Sequence, residues 1–441
     1  MTKAQVKHAL QRGLGRGILA VRANPDRYKE IVLWACGRNL SFDTQCEGTR
    51  AWYVYQLILT YSDSSEFLHL IEQTLRGKKP GSSWEYLHLA QLLMYFAMDG
   101  NEKAEIALWE KFEELLARLK SLKRSSWLQR RVIDCFETIC IALSWNKENY
   151  FKVAETIGGL FLESPQYNAW DFSWLNHSRP SGFNTALRRK AKKSQEISAY
   201  LSAFDEQERK WEQERSKRMS ANRQGDQIPE GGRRLSIYLK RKAPDLAMSY
   251  AEIYLSQKNP EERAKALEAF SVCPYPLDPT PILKDAESDC PELHSAAMDA
   301  LGEIKNPKLR EYALKNLEEN MEEMLPLFIK NYLPEDEAFL HKLISDLPVD
   351  YACECDWHTV HLDIHEIFRA NAGITKPPKS LLPLLYESTL CSICRETVVR
   401  LMGKYRMIND DMWEELLFDT NDDIRDYAKA HFRRINSISK E

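Results

Sequence analysis

Cysteine and histidine are the side chains best suited to hold a transition metal, and five of them crowd one short stretch: Cys353, Cys355, His358, His361 and His365. A helix beginning near Asp356, whose carboxylate can cap free N–H groups, would bring His358, His361 and His365 onto one face. Two thiols just upstream would complete a zinc-like donor set. Structural zinc usually draws on two separated ligand pairs, and Cys391-Ser-Ile-Cys394 is the available distant pair. The competing reading is packing. Cys391 and Cys394 sit in an apolar helical pattern with Arg395 following in register, where thiols behave as small apolar side chains. Packing and capping are the preferred reading, so neither a metal nor another cofactor is expected.

The second group with chemical potential is a basic belt. Between residues 177 and 242 there are 17 Lys and Arg against 8 Asp and Glu, although the whole chain carries a net charge of −4. Arg188, Arg189, Lys190, Lys192 and Lys193 open the belt, and Arg215, Lys217, Arg218, Arg233, Arg234, Lys240, Arg241 and Lys242 continue it. Such a density could neutralise phosphates, with Trp170, Phe172, Trp174 and Phe183 nearby to stack on bases. Against that, Asp205, Glu206, Glu208, Glu212 and Glu214 interleave with the cations as on a solvated helix laced by i,i+4 pairs. A partner-docking arm is the favoured reading, and contact of Arg188–Lys193, Trp170 and Trp174 with a polyanion is the alternative.

Signatures of catalysis are missing. The chain has no Gly-rich phosphate loop ending in Gly-Lys-Ser/Thr, no Gly-x-Gly-x-x-Gly, no His-Glu-x-x-His and no Gly-x-Ser-x-Gly elbow. Asp346, Asp350, Asp356 and Asp363 read as solvated charges rather than an acid–base pair. No enzymatic role is expected.

What must position any site is a series of helices. Only 17 Gly and 19 Pro interrupt the chain, 44% of it is hydrophobic, and no stretch reaches the length of apolar residues that a membrane span needs. Apolar residues recur at three- and four-residue intervals near Thr2–Val21, Pro25–Cys36, Gly48–Thr60, Ser65–Leu75, Trp84–Met98, Glu102–Lys120, Ser125–Leu143 and Lys147–Phe161. The basic residues before Ala23 read as the polar face of a first helix, not as a targeting segment. Ser164–Phe183 breaks the rhythm, and Ala186–Ala221 reads as one long charged helix. Ten cysteines without a secretory signal suggest reduced thiols, no structural disulfide and a cytoplasmic protein.

The strongest pattern is an internal repeat. Five segments share a register in which a basic residue (Arg263, His294, Arg310, Arg395, Arg425) is followed at i+3 by a small or β-branched one. These are Ala266, Ala297, Ala313, Val398 and Ala428. A large apolar residue comes at i+7: Phe270, Leu301, Leu317, Met402, Phe432. The i+3 and i+7 positions share a helix face, so the small residue admits a neighbouring helix and the large one fills the space beside it. From the edge of that face the guanidinium can reach an acceptor on the next repeat. A degraded copy begins at Arg50, with Tyr53 in the small slot and Leu57 in the large one.

These segments resemble HEAT repeats, through the helix-pair period from Pro260 to Pro291 and through Asn421-Asp-Asp-Ile-Arg425-Asp-Tyr-Ala428, where an Asp-rich turn precedes the Arg and the packing Ala. The likeness covers roughly 259–435 and departs from the consensus at His294, Val398 and 331–379. It implies an all-α fold, a right-handed superhelix of stacked helix pairs. The expected organisation is degenerate repeats over 1–163, an aromatic loop and basic helix over 164–234, and HEAT-like repeats over 235–441. A curved helical surface implies an intracellular scaffold or adaptor for a protein partner, without membrane contact. The alternative is a nucleic-acid binder similar to the HEAT-like alkylpurine DNA glycosylases, in which Asp171 between Trp170 and Phe172 would be the acidic residue.

Overall fold

The computed structural model describes residues 1–79, 82–122, 127–164, 167–177, 181–223, 228, 231–317, 319–346, 364–365, 367–368 and 378–438. Among them the regular elements are α-helices and short 3₁₀ turns, with no strand. The all-α expectation holds. No described helix is long and apolar enough to cross a membrane. Two compact units emerge. Unit 1 holds Met1–Ser216, Leu390–Glu396 and Ile408–Glu441, and unit 2 holds Lys217–Thr389 and Thr397–Met407. This grouping differs from a division at 163/164 and 234/235, because the last helices pack with the first.

Local chemistry explains where helices start and stop in unit 1. Thr2 and Gln5 form a reciprocal capping box ahead of Lys3–Arg12, and Gly13, at φ 68°, ends that helix in a left-handed turn. The expected single helix over Thr2–Val21 is therefore two, Lys3–Arg12 and Gly15–Ala23, because a left-handed residue cannot continue a right-handed helix. Asn101 and Asn146 cap Glu102–Ser121 and Lys147–Glu163 with side-chain oxygens. Tyr86, Phe112, Phe136, Tyr150 and Phe172 fill the core, with the Phe112 and Phe136 rings 4.9 Å apart.

The expected long helix over Ala186–Ala221 is also interrupted. Asn184–Ala191 ends, and Gln195–Arg223 begins after Ser194, whose hydroxyl accepts the Ile197 N–H at 3.2 Å. A serine placed before Glu196 competes for backbone donors and starts a new helix there. At that joint Gly158 lies against the Glu196 carbonyl so closely that a β-carbon would collide with it.

In unit 2 the Asn-Pro pair is the recurrent starter. Asn259 and Asn306 cap Pro260–Leu267 and Pro307–Asn316, with proline at the first helical position, where its missing N–H costs nothing. Pro291–Gly302 packs on Pro260–Leu267, and Met321–Lys330 on Pro307–Asn316. The apolar seam includes Leu267, Phe270, Leu293, Ala297, Leu301, Leu309, Ala313, Leu317 and Phe328, all buried.

Candidate functional site

The repeat register can be followed residue by residue. Ala297, Ala313, Val398 and Ala428 are buried, as are Phe270, Leu301, Leu317 and Met402. Ala266 and Phe432 are only half-buried. Ala266 departs because its helix stops at Leu267 and passes into a 3₁₀ turn, Glu268–Phe270, so Ala264, Leu267 and Phe270 face the core instead.

The basic slot does what its position allows. In unit 2 the Arg263 guanidinium donates to Asp285 at 2.6 and 3.0 Å and to the Tyr254 hydroxyl at 2.9 Å. Arg310 forks onto Asp336, and His294 lies 3.0 Å from Glu323 and 2.7 Å from the Ala286 carbonyl. Each acid lies in a later element, 22, 29 and 26 positions further along the chain for Arg263, His294 and Arg310. The hydrogen bond to Glu323 is the main influence holding His294 above the ordinary imidazole value.

Unit 1 uses the same device in a dry setting. Arg395 and Asp419 are both fully buried, joined by two hydrogen bonds of 3.0 and 2.9 Å, and Arg395 also reaches the Gly13 carbonyl at 3.4 Å. Arg50, buried too, donates to Glu47 at 2.8 Å, to the Leu390 carbonyl at 3.0 Å and to the Gln11 carbonyl. Burial works to raise the Glu47 carboxyl, but the charge and hydrogen bond of Arg50 bring it below the usual carboxylate range. Arg425 donates to the Asp419 and Thr420 carbonyls and to Asp422, and its guanidinium lies 3.6 Å from the Trp52 ring centre. Residues 11–52, 390–395 and 419–425 are thus stitched into one polar network around a cleft of about 450 Å³, lined by Cys46, Thr49, Trp52, Gln91, Tyr95, Ile393, Asp423 and Arg425.

A larger cleft, about 930 Å³, lies in unit 2 between Gly232–Lys242, Pro260–Leu267 with its 3₁₀ turn, and Pro291–Gly302. Arg233 and Lys240 face it, but so do Glu268, Glu292, Asp299 and Glu303. Glu303 is paired with Lys240 and Lys330. Among the described residues Glu268, Glu292 and Asp299 have no ion-pair partner. Partial burial raises the Asp299 carboxyl above its ordinary value, against the pull of Arg233. The cleft therefore offers uncompensated negative charge between helices, a surface that attracts ammonium and guanidinium groups. The chain matches no protein-family model, no curated protein and no solved structure.

The residues expected to meet a polyanion are spread over separate tasks. Arg188 forks onto Asp205 at 2.8 and 2.9 Å, and Lys190 lies 5.3 Å from the Phe151 ring centre. Arg189, Lys192 and Lys193 are exposed. Trp174 packs on Trp84 at 4.8 Å, and Glu137, buried in the helix beneath, accepts the Leu175 N–H at 2.8 Å. Burial pushes the Glu137 carboxyl up to about 7 in spite of that bond. Trp170 stays exposed, while Asp171 accepts the Asn168 N–H at 2.9 Å and so caps its own 3₁₀ turn. Cys353, Cys355, His358 and His361 lie outside the described residues. His365 is buried, and desolvation takes its imidazole down to about 4. Among the described residues no group of three or more His, Cys, Asp or Glu is placed to hold a metal.

Sequence reasoning missed both clefts. The unit 2 cleft had a signal in the acidic residues Glu268, Glu292, Asp299 and Glu303, spaced across two repeat helices. The unit 1 cleft had none, because its walls come from segments as far apart in the chain as Cys46–Trp52 and Thr420–Arg425.

Proposed function

We propose that unit 2 is a HEAT-like stack of helix pairs and that the protein is a non-enzymatic scaffold gripping a partner protein through a segment rich in lysine or arginine. The repeated clasps, Arg263 to Asp285, His294 to Glu323 and Arg310 to Asp336, support the stacking. Each ties one pair to the next and leaves the opposite face of Pro291–Gly302 open. The partner's chemistry rests on one observation: three carboxylates, Glu268, Glu292 and Asp299, face the 930 Å³ cleft outside any ion pair among the described residues, with Arg233 as their near cation. A phosphate backbone would be repelled there, whereas a basic peptide would gain charge-assisted hydrogen bonds.

Panning a random peptide library on the purified protein tests this directly. The expected result is enrichment of Lys- and Arg-rich peptides whose affinity falls with salt and drops at least tenfold in the Glu268→Lys, Glu292→Lys, Asp299→Lys variant. Equal binding to parent and variant would remove the cleft as the docking site. The nucleic-acid alternative draws on exposed Arg189, Lys192 and Lys193. It gains only if DNA or RNA is retained at low salt and lost when these three become Glu.

A further inference from the structure

Cys391 and Cys394 are unlike the other described thiols. Cys391 immediately precedes the helix Ser392–Lys404, and its carbonyl accepts the Arg395 N–H at 3.1 Å, so it occupies the capping position with Cys394 one turn on. The Cys394 thiol donates to the Cys391 sulfur, and the Cys394 and Ile393 backbone N–H groups point at the same atom. Helix geometry sets Cα atoms three positions apart at roughly 5 Å, within the Cα separation that a disulfide spans. Ser392 and Ile393, between the two sulfurs, line the 450 Å³ cleft of unit 1, which gives a small molecule an approach. Cys391 is 3% exposed and Cys394 8%, so an incoming disulfide has to reach them from this cleft rather than from the open surface.

We infer that Cys391 and Cys394 form a dithiol–disulfide redox site that exchanges with a low-molecular-weight disulfide entering by this cleft. The Cys391 thiolate attacks one sulfur of the incoming disulfide, whose S–S bond breaks, and the electron pair leaves on the departing thiolate. That thiolate takes up the proton that Cys394 gives up. The Cys394 thiolate then attacks the Cys391 sulfur of the mixed disulfide, expelling the second thiolate, which is protonated in turn by the proton lost when Cys391 first ionised. Two electrons and two protons pass from the protein dithiol to the small disulfide, giving two small thiols and a Cys391–Cys394 bond.

The surroundings distribute these roles. The hydrogen bond from Cys394, with help from the backbone, holds Cys391 below the ordinary thiol value although burial and Glu47 oppose it. The same contact is the largest influence raising Cys394, and it vanishes once Cys391 is capped, freeing Cys394 to act second. Cys46 on the cleft wall is an exposed thiol held by Asp43 up to about 11, a weak nucleophile in spite of its access.

The folded full-length protein is equilibrated in buffers of reduced and oxidised glutathione, acid-quenched, alkylated and mapped without reduction. The expected result is that Cys391 and Cys394 lose label together in one transition, with recovery of a peptide pair linking them. In Cys394→Ser a glutathione adduct on Cys391 should persist at least tenfold longer than in the parent, and Cys290→Ser, in unit 2, should leave the transition where it was. Cys391 and Cys394 remaining alkylatable at every ratio overturns the inference, as does a disulfide joining Cys391 to Cys46. The mapping of the parent protein decides the matter even if a variant fails to fold. Peptide docking in unit 2 stands or falls separately.

Discussion

Arg395 in unit 1 and Arg310 in unit 2 share a place in the sequence pattern, and each clasps an aspartate 24 or 26 positions further on. Their surroundings differ. Arg395 and Asp419 are wholly buried, whereas the Arg310 side chain is 22% exposed beside an Asp336 that is nearly buried. A clasp whose guanidinium keeps some water forfeits less hydration and gains less, while a wholly buried one must recover the large cost of stripping water from both charges. Unit 1 recovers it with further hydrogen bonds, since Arg395 reaches Gly13 and the Asp419 carboxylate also accepts the Asn421 N–H at 2.9 Å. One sequence signal therefore gives a modest staple in one unit and an all-or-nothing lock in the other.

Substitution measures that contrast most sharply at the buried clasp. Arg395→Ala leaves Asp419 charged and without its counter-ion, and should cost about 3–5 kcal/mol in chemical denaturation. A double variant, Arg395→Met with Asp419→Leu, should recover much of it. A loss below about 1 kcal/mol for Arg395→Ala would erase the distinction between the units.

The histidines extend the comparison to pH. His88 in unit 1 is fully buried, and desolvation lowers its imidazole to about 4 against the pull of the Ala35 and Cys36 carbonyls. As pH falls from about 6.5 towards 4 the unfolded chain takes a proton that the folded chain refuses, so stability should drop by up to about 3 kcal/mol. Melting curves of His88→Leu should lack that acid slope. A slope unchanged by the substitution would place the titration elsewhere.

Smaller effects belong to unit 2. Arg310→Ala should cost about 1–2 kcal/mol, since one partner of a part-buried, charge-assisted pair is lost. His294 works in the opposite sense to His88. Its value is raised by Glu323, so its contribution is complete below about 6.5 and disappears as pH rises through the folded value. His294→Gln should flatten a shallow decline above neutrality, and a decline that persists in the variant would assign it to another group.

The helical class and the clasping role of Arg263, Arg310 and Arg395 were legible in the sequence because both depend on spacing within about one helix pair. Periodicity reports which face a residue occupies, and the face decides whom it can reach. Three features escaped it. The 3₁₀ turn at Glu268–Phe270 changes the angle per residue, so Phe270 falls in line with Ala264 and Leu267 rather than with Ala266. Gly13 and Ser194 each divide a pattern that reads as continuous, because one left-handed residue or one capping hydroxyl outweighs a weak helical preference. The Cys391–Cys394 pair was visible as a motif, but its thiols read as packing residues, since a position inside a helix and one at its cap differ by a single residue.

The lock at Gly13 also sets a schedule. Its carbonyl accepts from Thr420 at 2.9 Å and from Arg395, a partner 382 positions later. At about 5–20 residues per second, a ribosome needs roughly 20–80 s to make the stretch between them. Throughout that interval the first helices have emerged while the pieces that complete their polar network do not yet exist. Newborn chains of this protein thus pass through a prolonged adolescence in which the first 216 residues of unit 1 wait for Leu390–Glu396 and Ile408–Glu441.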